Sequence, residues 1–486
     1  MRVTEEEGAS RRPLVRLLRG AASYGFGTLV TRSYTVLLLP VYLAYLTPSD
    51  FGILAITDML STPLVSVLNL CLDRAVTRFY HLWPPGDRPR QLGAIWAASL
   101  ISATSLTALL IWSGPLLIGR LFTAVPFHPF LNLACLIAAF RSTSSIPLMV
   151  LRAREEAGRY ASFTTLTSIS GSFFIIYFIV LRRAGARGVL IATLINEIIW
   201  CCFWSLLMFR WTARGSLRGR LAAPLRYSLP LLPADLAFSV GQAFDRFLLE
   251  KYVPLSELGL YFVASRFARL FHEVNQAAKN AWIPLALRLG SAPADAGRSA
   301  IGNLASIYVS GFMVLAVLTA AFGREALSLF AAPTFLGAGR WIPIFVAGYF
   351  GYVVYFAALP GINLSGRNEF VTAVMVAYAV VSATLALLLV PRFGAFGAAI
   401  GFALALQILG YVSAWVSSKL YTVPFPLTRI IGLGIVGVIT VASVINLPLG
   451  PMTLFVKAAV AIGYLGVVVY LTQRTFAAAQ LAAQIP

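Results

Sequence analysis

Fourteen apolar runs, each longer than the roughly 20 residues that cross a bilayer as a helix, follow one another through this 486-residue chain. They read 20–46, 51–77, 91–114, 128–150, 160–181, 188–209, 226–250, 256–284, 299–323, 341–363, 369–390, 394–418, 425–446 and 452–473. Hydrocarbon offers no partner to a backbone amide, so runs of this length must satisfy their own N–H and C=O groups as helices. Only 12% of residues are charged, against about 25% in soluble domains, and the mean hydropathy is +0.82. A soluble globular enzyme and a disordered chain are both excluded. The expected fold is an all-α integral membrane protein of fourteen transmembrane helices.

The formal net charge of +20 would suggest nucleic acid in a soluble chain. Here the basic residues stand singly or in small clusters between apolar runs, with no basic stripe interleaved by aromatics, so no nucleic-acid partner is expected. They instead orient the chain, because cytoplasmic loops carry the excess of Lys and Arg. One set of alternate segments holds twenty-two of them and the opposite set eight, which puts both termini in the cytoplasm; Arg182, Arg183 and Arg187 run against this assignment. Cys71, Cys135, Cys201 and Cys202 all lie in apolar runs without metal-type spacing and read as buried thiols. No small-residue cleavage site follows the first apolar run, so no removable signal peptide is expected.

Two patterns recur at nearly one offset. Thr47-Pro48-Ser49-Asp50-Phe51-Gly52 is echoed by Pro254-Leu255-Ser256-Glu257-Leu258-Gly259 after 207 residues, and Arg183-Ala184-Gly185-Ala186-Arg187-Gly188 by Arg392-Phe393-Gly394-Ala395-Phe396-Gly397 after 209. The agreement implies two six-helix halves entering the membrane in the same direction, with the substrate path between such parallel repeats. The expected domains are residues 1–221, residues 222–424 and an accessory pair of helices at 425–486. Pro40, Pro63, Pro147, Pro230, Pro233 and Pro360 fall inside spans, where each removes a backbone donor and favours a bend.

Ionisable groups within spans cost about 2.5–3.5 kcal/mol each at the centre of a helix and face a partner or a watery cavity. The basic ones are Arg32, Arg74, Arg141, Arg246, Arg266, Arg269, Lys279 and Lys457; the acids are Asp58, Asp73, Glu197, Asp235, Asp245, Glu250 and Glu273. Arg32, about 18 Å into its helix at 1.5 Å per residue, and Arg266 and Arg269 lie near mid-membrane. Arg266, Arg269, Glu273, Gln276 and Asn280 form one polar stripe, in which Glu273 is placed to neutralise Arg269 one turn away. Neither Arg32 nor Arg266 has an acid at helical spacing, and a guanidinium fork suits phosphate oxygens. Arg74 is expected to stack over Arg78 rather than face its neighbour Asp73, and Lys457 and Arg246 are close enough to helix ends to reach the interface. No catalytic constellation appears, and no polar segment exceeds roughly 15 residues, an ordinary connection.

The chain resembles the polysaccharide (Wzx-type) flippases of the multidrug/oligosaccharidyl-lipid/polysaccharide exporter superfamily. The resemblance rests on Arg32 with Leu39-Pro40-Val41-Tyr42, Leu46 to Gly52, and Leu72-Asp73-Arg74-Ala75-Val76-Thr77-Arg78-Phe79-Tyr80. Tyr227 to Pro233, Asp245-Arg246-Phe247-Leu248-Leu249 and Glu257-Leu258-Gly259-Leu260-Tyr261 extend it. It implies alternating-access transport of a polyprenyl-pyrophosphate-linked oligosaccharide across the bacterial inner membrane, without enzymatic chemistry. Arg32 is the position carried over for the pyrophosphate; the wider candidate set adds Arg266, Arg269, Arg141, Arg74 and Lys279. Asp58, Asp235, Asp245, Arg246 and Glu273 are the candidates for gating or for coupling to H+ or Na+. No cofactor and no metal ligands are implied; the implied partners are the lipid-linked glycan, membrane lipids, a polysaccharide polymerase and glycosyltransferases. Ser33 stands where lipid II flippases commonly have Asp, which argues against a peptidoglycan precursor. A cation-coupled multidrug exporter of the same superfamily is the alternative.

Overall fold

A computed structural model describes residues 38–213, 219–290, 294–367, 369–421 and 427–482, and all of these form helices or the short links between them. Arg32 and most of the first expected span lie outside the described residues. The elements are α1 (38–45), α2 (Pro48–Leu68), α3 (Leu72–Phe79), α4 (Arg88–Leu121), α5 (Asn132–Ala153), α6 (Ala157–Ile176), α7 (Gly185–Trp211) and α8 (Ala222–Ser228). They continue as α9 (Leu232–Gly241), α10 (Phe244–Tyr252), α11 (Leu255–Gly290), α12 (Ala294–Ser328), α13 (Ile342–Leu364), α14 (Glu369–Leu420), α15 (Leu427–Ile445) and α16 (Pro451–Ala482). This is an all-α, multi-pass membrane protein.

Among the described residues nine helices are long and apolar enough to cross a bilayer. Within the described residues, several expected spans take a locally different form. The expected spans 369–390 and 394–418 run together as α14, bent where Gly394 takes φ +56°. The span 256–284 is helical in α11, where Arg266, Arg269, Glu273 and Lys279 interrupt its apolar character, and α15 lies within the span 425–446. The span 226–250 is not one helix. Pro230 sits in a 3-10 turn at Leu229–Leu231, after which α9 and α10 follow as separate short helices. Pro63, Pro147 and Pro360, by contrast, sit inside helices that continue through them.

The span 51–77 also breaks. Leu70 and Cys71 take φ +55° and +54°, conformations that cost a non-glycine residue of order 1–3 kcal/mol each. Tertiary contacts hold the break: Ser102 Oγ donates to the Leu68 carbonyl at 2.6 Å, and Asn69 Nδ2 donates to Ser145 Oγ at 2.8 Å. Beyond it α3 buries Leu72 and Val76 against Leu92, Ile95, Ile146 and Val150, leaving Arg74 and Arg78 exposed on its other side.

Two compact units divide the chain at Met1–Ser256 and Glu257–Pro486. In the first, α5 is central, packed by α2, α3, α4 and α7, while α9 lies on α2 and α8 on α3. In the second, α13 packs between α12 and α14, and α15 and α16 lie on α12. Gly351 of α13 and Gly410 of α14 meet backbone to backbone, an approach that leaves no room for a Cβ. Lys457 does not reach an interface: it is 1% exposed, bonded to Glu325 at 2.5 Å and to the Ala321 carbonyl at 3.0 Å. Cys71 and Cys135 are buried as expected, whereas Cys202 is exposed on its helix.

The recurrent motifs earn their residues structurally. Thr47 and Asp50 form a reciprocal cap on α2: Thr47 N–H donates to Asp50 Oδ2 at 2.9 Å, and Asp50 N–H donates to Thr47 Oγ1 at 3.2 Å. The other carboxylate oxygen accepts the Ala186 N–H at 2.8 Å, at the start of α7. Gly185 beside it takes φ +55°, close to the φ of Gly394 at the equivalent place in the second motif. One carboxylate thus serves two helix N-termini. Asp50→Ala is expected to cost about 1–2 kcal/mol, the upper range for one lost cap, read as a lower melting temperature in detergent with Asp50→Asn in between.

Candidate functional site

Two of the first unit's ion pairs join intramembrane charges from different helices. At the α2–α3 break, Arg74 donates to Asp235 Oδ1 at 2.9 Å, and Ser66 Oγ donates to Asp235 Oδ2. Arg74 also approaches Asp73, at 4.0 Å; the principal partner comes from α9, 161 residues away. The arrangement follows from the break, since α3 presents Arg74 to a carboxylate on the neighbouring short helix. Its side chain remains 57% exposed. Arg78, one turn on, does not sit under Arg74 alone: its guanidinium lies 4.7 Å from the Tyr227 ring and 5.8 Å from that of Phe79.

Deeper in the unit, Arg141 of α5 meets Glu197 of α7 at 2.9 Å, and Asp58 of α2 lies within electrostatic range of the same guanidinium. Glu197 is buried, and its charge needs such a partner, because an ionised group alone in a low-dielectric interior is too costly to keep. Asp245 and Arg246 sit on α10, where Asp245 Oδ1 accepts the Arg246 backbone N–H at 2.9 Å.

In the second unit the expected stripe on α11 is present. Arg269 and Glu273 pair at 3.4 Å, one turn apart, as their spacing implied. Arg266 lies over the Phe262 ring at 4.5 Å and Lys279 over the Phe356 ring at 4.9 Å. Sequence reasoning passed over His272. Its ring stacks against Tyr349 at 5.1 Å and approaches Tyr352 at 4.7 Å, and its Nε2 is 3.0 Å from Gln276 Nε2. The aromatic spacing of α13 at 349, 352 and 356 was the available signal, three ring positions on one helical face. Residues 260–285 of α11 thus carry Arg266, Arg269 and Lys279 against the single acid Glu273, a net positive stretch of helix, with Lys279 turned away from the Arg266 stripe onto the α13 ring Phe356.

Structure separates the candidates into local groups. It joins Arg74 to Asp235, Arg141 to Glu197, and Arg269 to Glu273, and it places Lys279 and His272 on the same α13 ring, Phe356. Among the described residues no group of three His, Cys, Asp or Glu side chains is arranged to hold a metal ion.

The family described as polysaccharide biosynthesis protein matches residues 44–330. Among solved structures, the lipid II flippase MurJ in an inward closed conformation superposes with a TM-score of 0.71 at 11% identity, covering 93% of this chain and 99% of that one. An inward-facing multidrug resistance MATE family transporter of the MOP superfamily gives 0.57 at 15% identity, covering 80% and 94%. The Vibrio cholerae MATE transporter VcmN gives 0.51 at 16% identity, covering 84% and 98%. At these identities the likeness is one of fold. No curated protein matches the sequence.

Proposed function

Because the chain belongs to the polysaccharide biosynthesis protein family, we propose that it is a flippase for a lipid-linked oligosaccharide. Its cargo is a polyprenyl-pyrophosphate-linked glycan, moved by alternating access from the cytoplasmic to the periplasmic leaflet of the bacterial inner membrane. The product supplies O-antigen, capsule or exopolysaccharide synthesis, alongside a polymerase and glycosyltransferases, with both termini cytoplasmic. The protein makes and breaks no covalent bond; H+ or Na+ supplies the driving force through the intramembrane acids.

The family match carries the reading, and the charge on α11 supports it. Arg266 and Arg269 lie on one stripe of that helix, and guanidinium forks suit the acceptor oxygens of a diphosphate. Within the second unit Arg266, Arg269 and Lys279 are the candidates for the pyrophosphate; Arg74 in the first unit and Arg32 are separate candidates. The MATE-like fold favours a second reading, export of organic cations. That reading needs carboxylates without counter-ions, whereas Asp235, Glu197 and Glu273 each lie within 3.4 Å of a guanidinium.

The two readings separate in a strain lacking the protein. Complementation is expected to restore surface glycan and to leave drug susceptibility unchanged. Restored drug resistance without surface glycan would retire the flippase in favour of the exporter.

A further inference from the structure

Where α4 begins and α5 and α7 end, two cations converge on one buried tyrosine. Tyr80, 7% exposed, caps α3. Its hydroxyl accepts a hydrogen bond from Arg154 Nε at 2.9 Å, and Arg88 lies over its ring at 5.1 Å. The Arg154 guanidinium also covers the Trp211 ring at 4.5 Å, and Arg88 Nε donates to the Trp83 carbonyl at 3.1 Å.

Among the described residues no carboxylate pairs with either arginine. The nearby acids are engaged elsewhere or point to solvent. Asp87 takes Gln91 at 2.9 Å and Arg220 at 3.3 Å, and those two contacts hold its carboxyl below the ordinary carboxylate range. Glu156 takes Arg159 at 2.7 Å, and Glu155 is exposed. Helix dipoles account for only one of the two cations. Arg154 follows the last turn of α5, where positive charge is favourable, but Arg88 is the first residue of α4, at the positive end of that helix.

Stacking occupies the face of a guanidinium and leaves N–H groups on its edge for an acceptor. Two arginines immobilised in this way without a carboxylate partner, one of them at a helix N-terminus, are arranged for an anion. Their place at the ends of three spanning helices is the level of lipid headgroups, and Trp83, Trp211 and Tyr80 are the residue types that line that level. We infer that Arg88 and Arg154 bind the phosphate of a lipid headgroup at this end of the first unit. The lipid is either a resident anionic phospholipid or a polyprenyl diphosphate; the phosphate chemistry is common to both.

The test uses the full-length protein in neutral detergent, with lipid retention followed by native mass spectrometry. Wild type is expected to retain phosphatidylglycerol over phosphatidylcholine, and Arg88→Gln/Arg154→Gln to retain it about tenfold less, the scale of one lost charge-assisted hydrogen bond. Undecaprenyl diphosphate displacing the phospholipid would assign the site to the polyprenyl lipid; failure to displace it would assign a resident phospholipid. Equal retention by the double variant, or equal retention of phosphatidylcholine, would overturn the inference. Should the double variant fail to fold, the wild type still decides. Retention of phosphatidylglycerol must weaken as salt rises, and salt-independent retention would count against the site.

Discussion

Glu325→Ala is expected to destabilise the protein by about 3–5 kcal/mol, because it leaves a lysine charge buried without its partner. Lys457 is 1% exposed and its ammonium is held by Glu325 and one backbone carbonyl. The lysine belongs to α16 and the acid to α12, so the pair fixes α16 onto α12 within the second unit. The same two helices border an apolar cavity of about 170 Å³ lined by Val314, Leu318, Phe322, Ala458, Ala461, Ile462 and Leu465, which offers the stranded charge no polar substitute. Replacing both residues, as Glu325→Met/Lys457→Met, is expected to recover most of the loss, since apolar pairs of similar volume are tolerated where an ion pair was buried. Thermal melting in detergent reads both. Single variants as stable as wild type would show that the ammonium escapes to the interface after all.

Arg74→Gln is expected to cut delivery of surface glycan by roughly tenfold to a hundredfold, which corresponds to about 1.5–3 kcal/mol for a hydrogen bond to a charged group. Asp235 occupies the arginine in the structure described, and on the proposed reading a diphosphate, with more charge and more acceptor oxygens, would displace it. Asp235→Asn should therefore tighten binding of polyprenyl diphosphate, while Arg74→Lys, lacking the planar fork, should fall between wild type and Arg74→Gln. The double variant separates ligand binding from architecture. A pair that only braces α3 against α9 would be relieved when both charges go, so Arg74→Gln/Asp235→Asn would export normally. A phosphate contact predicts that the double variant stays as poor as Arg74→Gln.

Some contacts were readable because both partners sit on one helix or in one motif. Arg269 and Glu273 are four residues apart and pair as that spacing requires; Thr47 and Asp50 are three apart and form a cap. Others were hidden by distance along the chain. Arg74, Asp235, Arg141 and Glu197 were all visible as intramembrane charges that face a partner or a watery cavity, whereas Lys457 read as close enough to a helix end to reach the interface. No local rule says that Asp235 belongs to Arg74, or that Lys457 turns inward to Glu325 instead of outward to headgroups.

The amino-acid sequence alone determined that the chain crosses a bilayer many times as helices, because apolar length and backbone hydrogen bonding admit no other solution in hydrocarbon. It also determined the repeated turn motifs, since a cap and a left-handed glycine are requirements of a few adjacent residues. Tertiary structure decided where helices break without glycine, as at Leu70 and Cys71, where contacts from α4 and α5 hold a conformation that local preference opposes. It likewise decided which buried charge meets which, because that choice depends on neighbours brought together only when the helices pack.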